Sequence, residues 1–290
     1  MTAVRSDRVA GAGAGTLALL ASRRFGPLFW AQFLSAFNDN AVKNALVLMI
    51  AYQAAAASRM SAQILIPLAG GLFILPFFLC SATAGQFADQ RDKASLIRLI
   101  KLSEIALMLA AATGVVAGST SELLGLLCAM GVEAAFFGPL KYAILPYLLA
   151  PHELLLGNAL VEAGTFIAIL LGTIAGVLIA GQHGALLVAA LIVIVALTAW
   201  GTSLMIPPTG AAAPHSVVRW NLFAATQRVL REAAEETVLF RSMLGISWFW
   251  LAGAIYLSQF PSYVRFTLGG AEVVVTLFLT VFSIGIAVGS

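Results

Sequence analysis

A few polar residues stand inside runs that are otherwise almost wholly apolar: Asn38, Asp39, Asn40 and Lys43 in one run, Glu133 and Lys141 in another, and Glu162 in a third. A charge at mid-bilayer costs about 2.5–3.5 kcal/mol on insertion scales, so such residues face a bundle interior or a water-filled path. The chemistry open to them is charge pairing, proton carriage, or contact with an ionic group passing between helices. Asp39 and Lys43 are four apart with the acid first, which predicts an internal ion pair on one helical face. Asn40 and Asn44 recur at the same interval on a neighbouring face. The plainer role is a pair that glues helices together, but two amides, an acid and a base exceed what glue requires. Glu133 and Lys141 are eight apart and share a face, and Gly138-Pro139 between them should kink or loosen the helix. Glu162 lies at a similar depth on the returning helix. The spacing therefore predicts a Lys141–Glu162 contact, with a Lys141 that snorkels to the headgroups as the plainer alternative.

The elements that must carry these residues are membrane helices. Of 290 residues, 61% are hydrophobic and only 10% charged, and the mean hydropathy is +0.97. Soluble domains carry about 25% charged residues because their surface faces water. A helix needs about 20 apolar residues to cross the hydrocarbon core, and such runs lie near 27–52, 62–86, 95–117, 122–148, 156–180, 184–206 and 240–260. An eighth begins near 272 and is still apolar at Ser290, which predicts a chain ending inside or at the edge of a span. Residues 1–24 read as a largely disordered tail rather than a cleaved signal, because Gly11 to Ala21 is short and Gly/Ala-rich.

Basic residues orient the spans. The tail holds Arg5, Arg8, Arg23 and Arg24; the second connection and its flank hold Arg91, Lys93, Arg98 and Lys101; the sixth holds Arg219, Arg228, Arg231 and Arg241. The opposite side has Arg59 and Arg265. Positive loops stay cytoplasmic, so the N-terminus is expected there. Residues 207–239 form a polar, basic connection opening with Pro207-Pro208, in which Trp220, Phe223 and Leu230 oppose Arg228, Arg231 and Glu235. That pattern predicts an amphipathic helix on the cytoplasmic surface. The expected organisation is a tail over 1–24, a six-helix half over 25–206, a linker over 207–239, and the incomplete start of a second half over 240–290. Six spans, a basic linker and more spans is the layout of a transporter built from two halves.

The remaining features read as packing. Gly164, Ala168, Gly172, Gly176 and Ala180 recur at intervals of four and form a small-residue ridge for close helix approach, with a sliding surface as the functional option. Cys80 and Cys128 fall in apolar runs without CxxC spacing. His152, His183 and His215 have no partners at ligand spacing, so no metal site and no cofactor are expected. The net charge of +3 is small and dispersed, so nucleic acid is not an expected partner.

Five segments carry a resemblance. Gly85-Gln-Phe87-Ala88-Asp89-Gln-Arg91-Asp-Lys93 resembles the loop signature of the major facilitator superfamily, with Asp92 in place of the usual Gly. Phe37-Asn38-Asp39-Asn40 with Lys43, and Phe137-Gly138-Pro139-Leu140-Lys141-Tyr142-Ala143-Ile144-Leu145, are similar to the lysophospholipid transporter branch, as are Asn158-Ala-Leu-Val-Glu162-Ala163 and Trp220-Asn221. The resemblance implies an all-α polytopic inner-membrane protein of the major facilitator fold. It implies that Asp89 and Arg91 make the conformational charge contacts of the loop, that Gly85 completes that gate, and that Asp39 and Lys141 take part in conformational control and headgroup passage. The seventh run reads Gly253-Ala-Ile-Tyr256-Leu257-Ser258-Gln259 and lacks the buried base some relatives carry.

The function so implied is passage of lysophospholipid, above all lysophosphatidylethanolamine, across the bacterial inner membrane by alternating access. The lipid's phosphate would meet Lys141 or Lys43, and its ammonium Asp39 or Glu133. A cytoplasmic acyltransferase, separate or fused, is the protein partner the resemblance allows; neither its His-x4-Asp signature nor a nucleotide loop is present here, and no enzyme activity is expected. The alternatives are an ion-coupled exporter of drugs or small solutes on the same fold, with Asp39 or Glu133 carrying protons, and a passive membrane anchor for an attached acyltransferase.

Overall fold

The computed structural model describes residues 15–57, 59–117, 120–182, 185–211, 221–269 and 272–289. Arg5, Arg8, His183, His215, Arg219, Trp220 and Ser290 lie outside them. Among the described residues the regular structure is entirely helical, as hydrocarbon requires of a chain that must satisfy its backbone internally. The long helices are α1 (Gly26–Ala57), α2 (Arg59–Gln90), α3 (Lys93–Ala117), α4 (Thr120–Ala143), α5 (Leu154–Gln182) and α6 (Ala185–Ser203), followed by α7 (Leu222–Glu235), α8 (Thr237–Phe266) and α9 (Glu272–Gly289). Short turns at Leu145–Leu148 and Pro151–Glu153 join α4 to α5. Among the described residues, Leu68–Gln90, Ser121–Ala143 and Pro151–Gly176 are long and apolar enough to cross a membrane by length and composition. One boundary differs from the sequence reading. Residues 15–21 are helical rather than disordered, and Leu19 is buried against the bundle. The amphipathic helix α7 packs on α2, where Phe223 and Leu230 border a hollow with Phe78 and Leu79. It starts at Asn221, whose side-chain oxygen accepts the Ala224 amide as an N-cap.

Among the described residues the pairing of α1 with α5 is the most extensive, and its cause is the glycine ridge. A Cβ on Gly172 would stand 2.3 Å from the Phe37 carbonyl oxygen, and one on Gly176 2.3 Å from that of Ala41. Only a residue without a side chain lets the two backbones meet so closely. The ridge thus packs helix on helix. Helix α2 lies against α4, where Gly131 plays the same part against Phe73, and α3 lies against α6.

The bundle core is split into two apolar layers. One contains Phe25, just before α1, with Leu28 of α1, Ile97 of α3, Leu140 of α4 and Val161 of α5. The other contains Val42 and Leu46 of α1, Met108 of α3, and Leu127 and Met130 of α4. Between them, on the same three helices, runs a polar layer. Residues 32–40 of α1, 101–104 of α3 and 133 of α4 all fall in the gap.

Because the ridge meets backbone, which cannot rotate away, Gly176→Val should destabilise by at least the roughly 1–3 kcal/mol typical of overpacking. Gly201→Val, with nothing near its Cβ position, should leave the thermal midpoint of the purified protein close to wild type. Equal midpoints for the two variants would show that α1 and α5 do not meet along the ridge.

Candidate functional site

Lys101 occupies the centre of the polar layer. It lies eight residues into α3, about 12 Å from its start at 1.5 Å per residue, and is fully buried. Its ammonium donates to Glu104 at 2.8 Å, Glu133 at 3.0 Å and the Ser35 hydroxyl at 2.5 Å, and sits 3.7 Å from the centre of the Phe137 ring. Ser35 in turn donates to Glu104 at 2.7 Å. Three helices are thereby joined through one cation, and the ring face adds a further favourable contact. The sequence reading took Lys101 as part of a cytoplasmic basic flank. That is corrected: the side chain turns into the bundle because two acids and a hydroxyl await it there. Glu104 was not singled out at all. The signal was present, since Lys101 and Glu104 stand one turn apart well inside an apolar run.

The expected Asp39–Lys43 ion pair is absent. Lys43 donates to Asn40 Oδ1 at 2.8 Å and lies 5.2 Å from the Phe73 ring centre. Asp39 pairs with no cation within 4 Å, and its buried Oδ1 has no hydrogen-bond partner. The amides are used as ties instead. Asn38 donates to the Ile192 carbonyl of α6 at 3.1 Å, Asn40 to the Ala36 carbonyl at 2.8 Å, and Asn44 to Thr173 of α5 at 3.1 Å.

The expected Lys141–Glu162 contact is also replaced. Lys141 reaches the same helix but donates to Thr165 Oγ1 at 3.1 Å, and Thr165 is linked to Gln32 of α1 at 2.9 Å. Glu162 accepts from the Tyr142 hydroxyl. Both acid and base thus face the α4–α5 seam, one turn out of register for a direct bridge. Tyr142 and Glu162 also border a hollow of about 560 Å³ with Ile246, Phe249 and Trp250 of α8. Pro139 lies inside α4, which continues to Ala143.

In the α2–α3 loop the weight shifts from the residues expected to gate. Asp89 approaches Lys93 only to 3.9 Å and is largely exposed, Arg91 lies over the Phe87 ring, and Gly85 has open space at its Cβ position. Asp92, the departure from the motif, makes the contacts. It accepts the Ser95 amide at 2.8 Å, capping α3, and the Thr209 and Gly210 amides at 2.6 and 2.7 Å. Arg98 adds a bond to the Ile206 carbonyl at 2.7 Å. The chain leaving α6 is therefore clamped to the start of α3. Burial alone would push the Asp92 carboxyl up, but the hydrogen bonds from Ser95, Thr209 and Gly210 outweigh it and hold it well below its ordinary value.

With this geometry in view, relatives can be compared. No family model matches the chain. Over 280 residues, 93% of the chain, it is 32% identical to the lysophospholipid transporter LplT of Serratia proteamaculans, covering 65% of that protein. It is 31% identical to LplT of Pectobacterium carotovorum over 93% of the chain and 64% of that protein. With LplT of Escherichia coli O1:K1 it shares 33% identity over 90% of the chain and 63% of that protein. The chain is thus similar, along most of its length, to proteins named lysophospholipid transporters, and the regular structure of its described residues is all-α. It spans slightly under two thirds of the length of the curated relatives it matches. In this homologue the polar layer, with Lys101 and Glu104 added to Asn38, Asp39, Asn40, Lys43, Glu133, Lys141 and Glu162, is the candidate site.

The Asp92 clamp makes a prediction whose sign is fixed by linkage. A depressed folded-state carboxyl stabilises fully above its ordinary value of 3.8, and that contribution is lost as pH falls towards the folded value. At neutral pH, Asp92→Asn should speed amide hydrogen exchange at Thr209 and Gly210 relative to wild type, and the two proteins should converge in acid. Unchanged exchange at neutral pH would show that the carboxylate does not hold the linker.

Proposed function

We propose that this chain carries the lysophospholipid path of a major facilitator transporter that moves lysophospholipid across the bacterial inner membrane by alternating access. The supporting observation is the buried polar layer on α1, α3 and α4, between two apolar layers, in a homologue of proteins named lysophospholipid transporters. A passive span has no physical use for such a layer, because each charge in it costs insertion energy. Residues 25–206 form the first transporter half, 207–239 the linker, and 240–290 open the second. The N-terminus lies in the cytoplasm, as the basic connections favour.

Lysophosphatidylethanolamine is the proposed substrate. Its phosphate meets Lys141 at the α4–α5 seam, and its ammonium meets the acids Asp39 and Glu162. Lys141 is suited to the task because its ammonium carries three N–H groups and donates to Thr165, leaving others for a phosphate oxygen. Delivery to a cytoplasmic acyltransferase, separate or fused, would follow passage. Asp39 and Glu133 are placed to work the conformational cycle rather than to perform covalent chemistry.

The test is uptake of labelled lysophosphatidylethanolamine into proteoliposomes by the full-length chain. Lys141→Ala should lower uptake about tenfold or more, since a hydrogen bond to a charged group contributes roughly 1.5–3 kcal/mol. Asp39→Asn should lower it comparably. No uptake by folded wild-type protein would overturn the reading, and full activity in both variants would remove these residues from the path.

A further inference from the structure

The hollow of about 560 Å³ beside the α4–α5 seam is built differently from the polar layer. Tyr142 of α4 and Glu162 of α5 supply one part of its lining, and Gly245, Phe249 and Trp250 of α8 supply much of the rest. Trp250 is held in place by the first six helices. Its ring stacks on that of Phe166, one turn beyond Glu162 on α5, with centroids 5.6 Å apart and planes at 18°. Phe166 is itself buried. Phe249 meets Trp250 edge-on, with centroids 6.3 Å apart. Both α8 rings remain about half-exposed while bordering the hollow, so ring surface is left for a ligand. At Gly245 nothing lies within 4 Å of the Cβ position, so the space there is open.

The charge beside this space is negative and unanswered. Glu162 accepts the Tyr142 hydroxyl through Oε2, leaving Oε1 for another donor. Among the described residues Glu162 pairs with no basic side chain. Lys141, on the same seam, donates to Thr165 instead, and its ammonium stands 5.1 Å from the centre of the Tyr142 ring. A partly buried carboxylate without a cation is costly, and one phenol does not neutralise it. Aromatic faces attract cations, indole most of all, and more strongly where water is excluded. An acid, a phenol oxygen and two rings around one space therefore select an alkylammonium. A neutral polyol would leave the carboxylate unpaired, and an anion would be repelled.

We propose that this hollow is the ammonium seat of the transported head group, and that Glu162, Trp250 and Phe249 set head-group preference. Glu162 Oε1 and the Tyr142 oxygen take N–H groups of the ligand, and the α8 rings meet its charge through their faces. Lys141, at the adjoining seam, takes the phosphate two methylenes away. A lysolipid with an amino head group is thereby preferred over one with a glycerol head group. That the ligand is a lysolipid rests on the transport reading; the preference of the seat for an alkylammonium follows from its own lining.

Tryptophan fluorescence of the full-length chain in phosphatidylglycerol nanodiscs tests this without an acyl chain and without transport. The titrants are the water-soluble head groups glycerophosphoethanolamine and glycerophosphoglycerol. Glycerophosphoethanolamine should change the emission saturably in the wild type and not in Trp250→Phe. It should bind about tenfold more tightly than glycerophosphoglycerol, because the ammonium alone gains charge-assisted hydrogen bonds and an aromatic face. In Glu162→Gln the ethanolamine head group should lose about that factor, while the glycerol head group stays near its wild-type affinity. Gly245→Leu carries the same test should Glu162→Gln not fold. Its side chain enters open space and fills the hollow, so it should abolish ethanolamine binding with the thermal midpoint near wild type. Equal affinity for the two head groups overturns the proposal, as does ethanolamine binding that survives both variants. Selective binding without uptake would overturn the transport reading alone, and uptake with unselective binding would overturn this one alone.

Discussion

Everything in the first six helices depends on keeping Lys101 paired where there is no water to solvate it. Taking an ammonium and two carboxylates out of water costs several kcal/mol per ion, and only close, multiply bonded geometry offsets it. Contacts of 2.8 and 3.0 Å to Glu104 and Glu133, a hydroxyl bridge through Ser35 and the Phe137 face supply that geometry. These partners come from three helices, so the pairing fixes the register of α1, α3 and α4 together. The apolar layers on either side exclude water and strengthen each contact.

The glycine ridge complements this arrangement from the other side of α1. With Gly172 and Gly176 against the Phe37 and Ala41 carbonyls, α5 is seated at the depth of the polar residues. Thr165 and Thr173 then reach Gln32, Lys141 and Asn44. One face of α1 thus meets the charge cluster while another meets α5, and Asp39 stands between them without a cation. At the far end, Asp92 and Arg98 fasten the segment after α6, so the linker leaves from a fixed point.

Much of this was legible in the sequence and some was not, for physical reasons. The helical runs are visible because hydrocarbon demands about 20 apolar residues apiece. Asp39, Glu133 and Lys141 stand out because a charge amid such a run is rare. Lys101 escaped because its run also begins with Lys93 and Arg98, and counting basic residues near a helix end cannot see which way each points. The Asp39–Lys43 pair failed because spacing along one helix ignores competitors: Asn40 lies one turn from Lys43 and captures it. Lys141 and Glu162 were placed on the right pair of helices, but register across a hairpin is set by the turns at 145–153, which hydropathy does not encode. Asp92 looked like a lapse from the motif, and its role required seeing residues 209–210 folded back beside it.

The central claim is that Lys101 and its acids form one coupled unit within the bundle. A double-mutant cycle on thermal or denaturant stability, with Lys101→Met, Glu133→Gln and the pair combined, tests it most directly. Removing one member of a buried ion pair costs about 3–5 kcal/mol, so each single change should be severe. The double variant should be well short of their sum, with a coupling energy towards the upper end of the roughly 0.5–3 kcal/mol range for residues in contact. Two mild and additive effects would contradict the account, because they would mean that Lys101 reaches water.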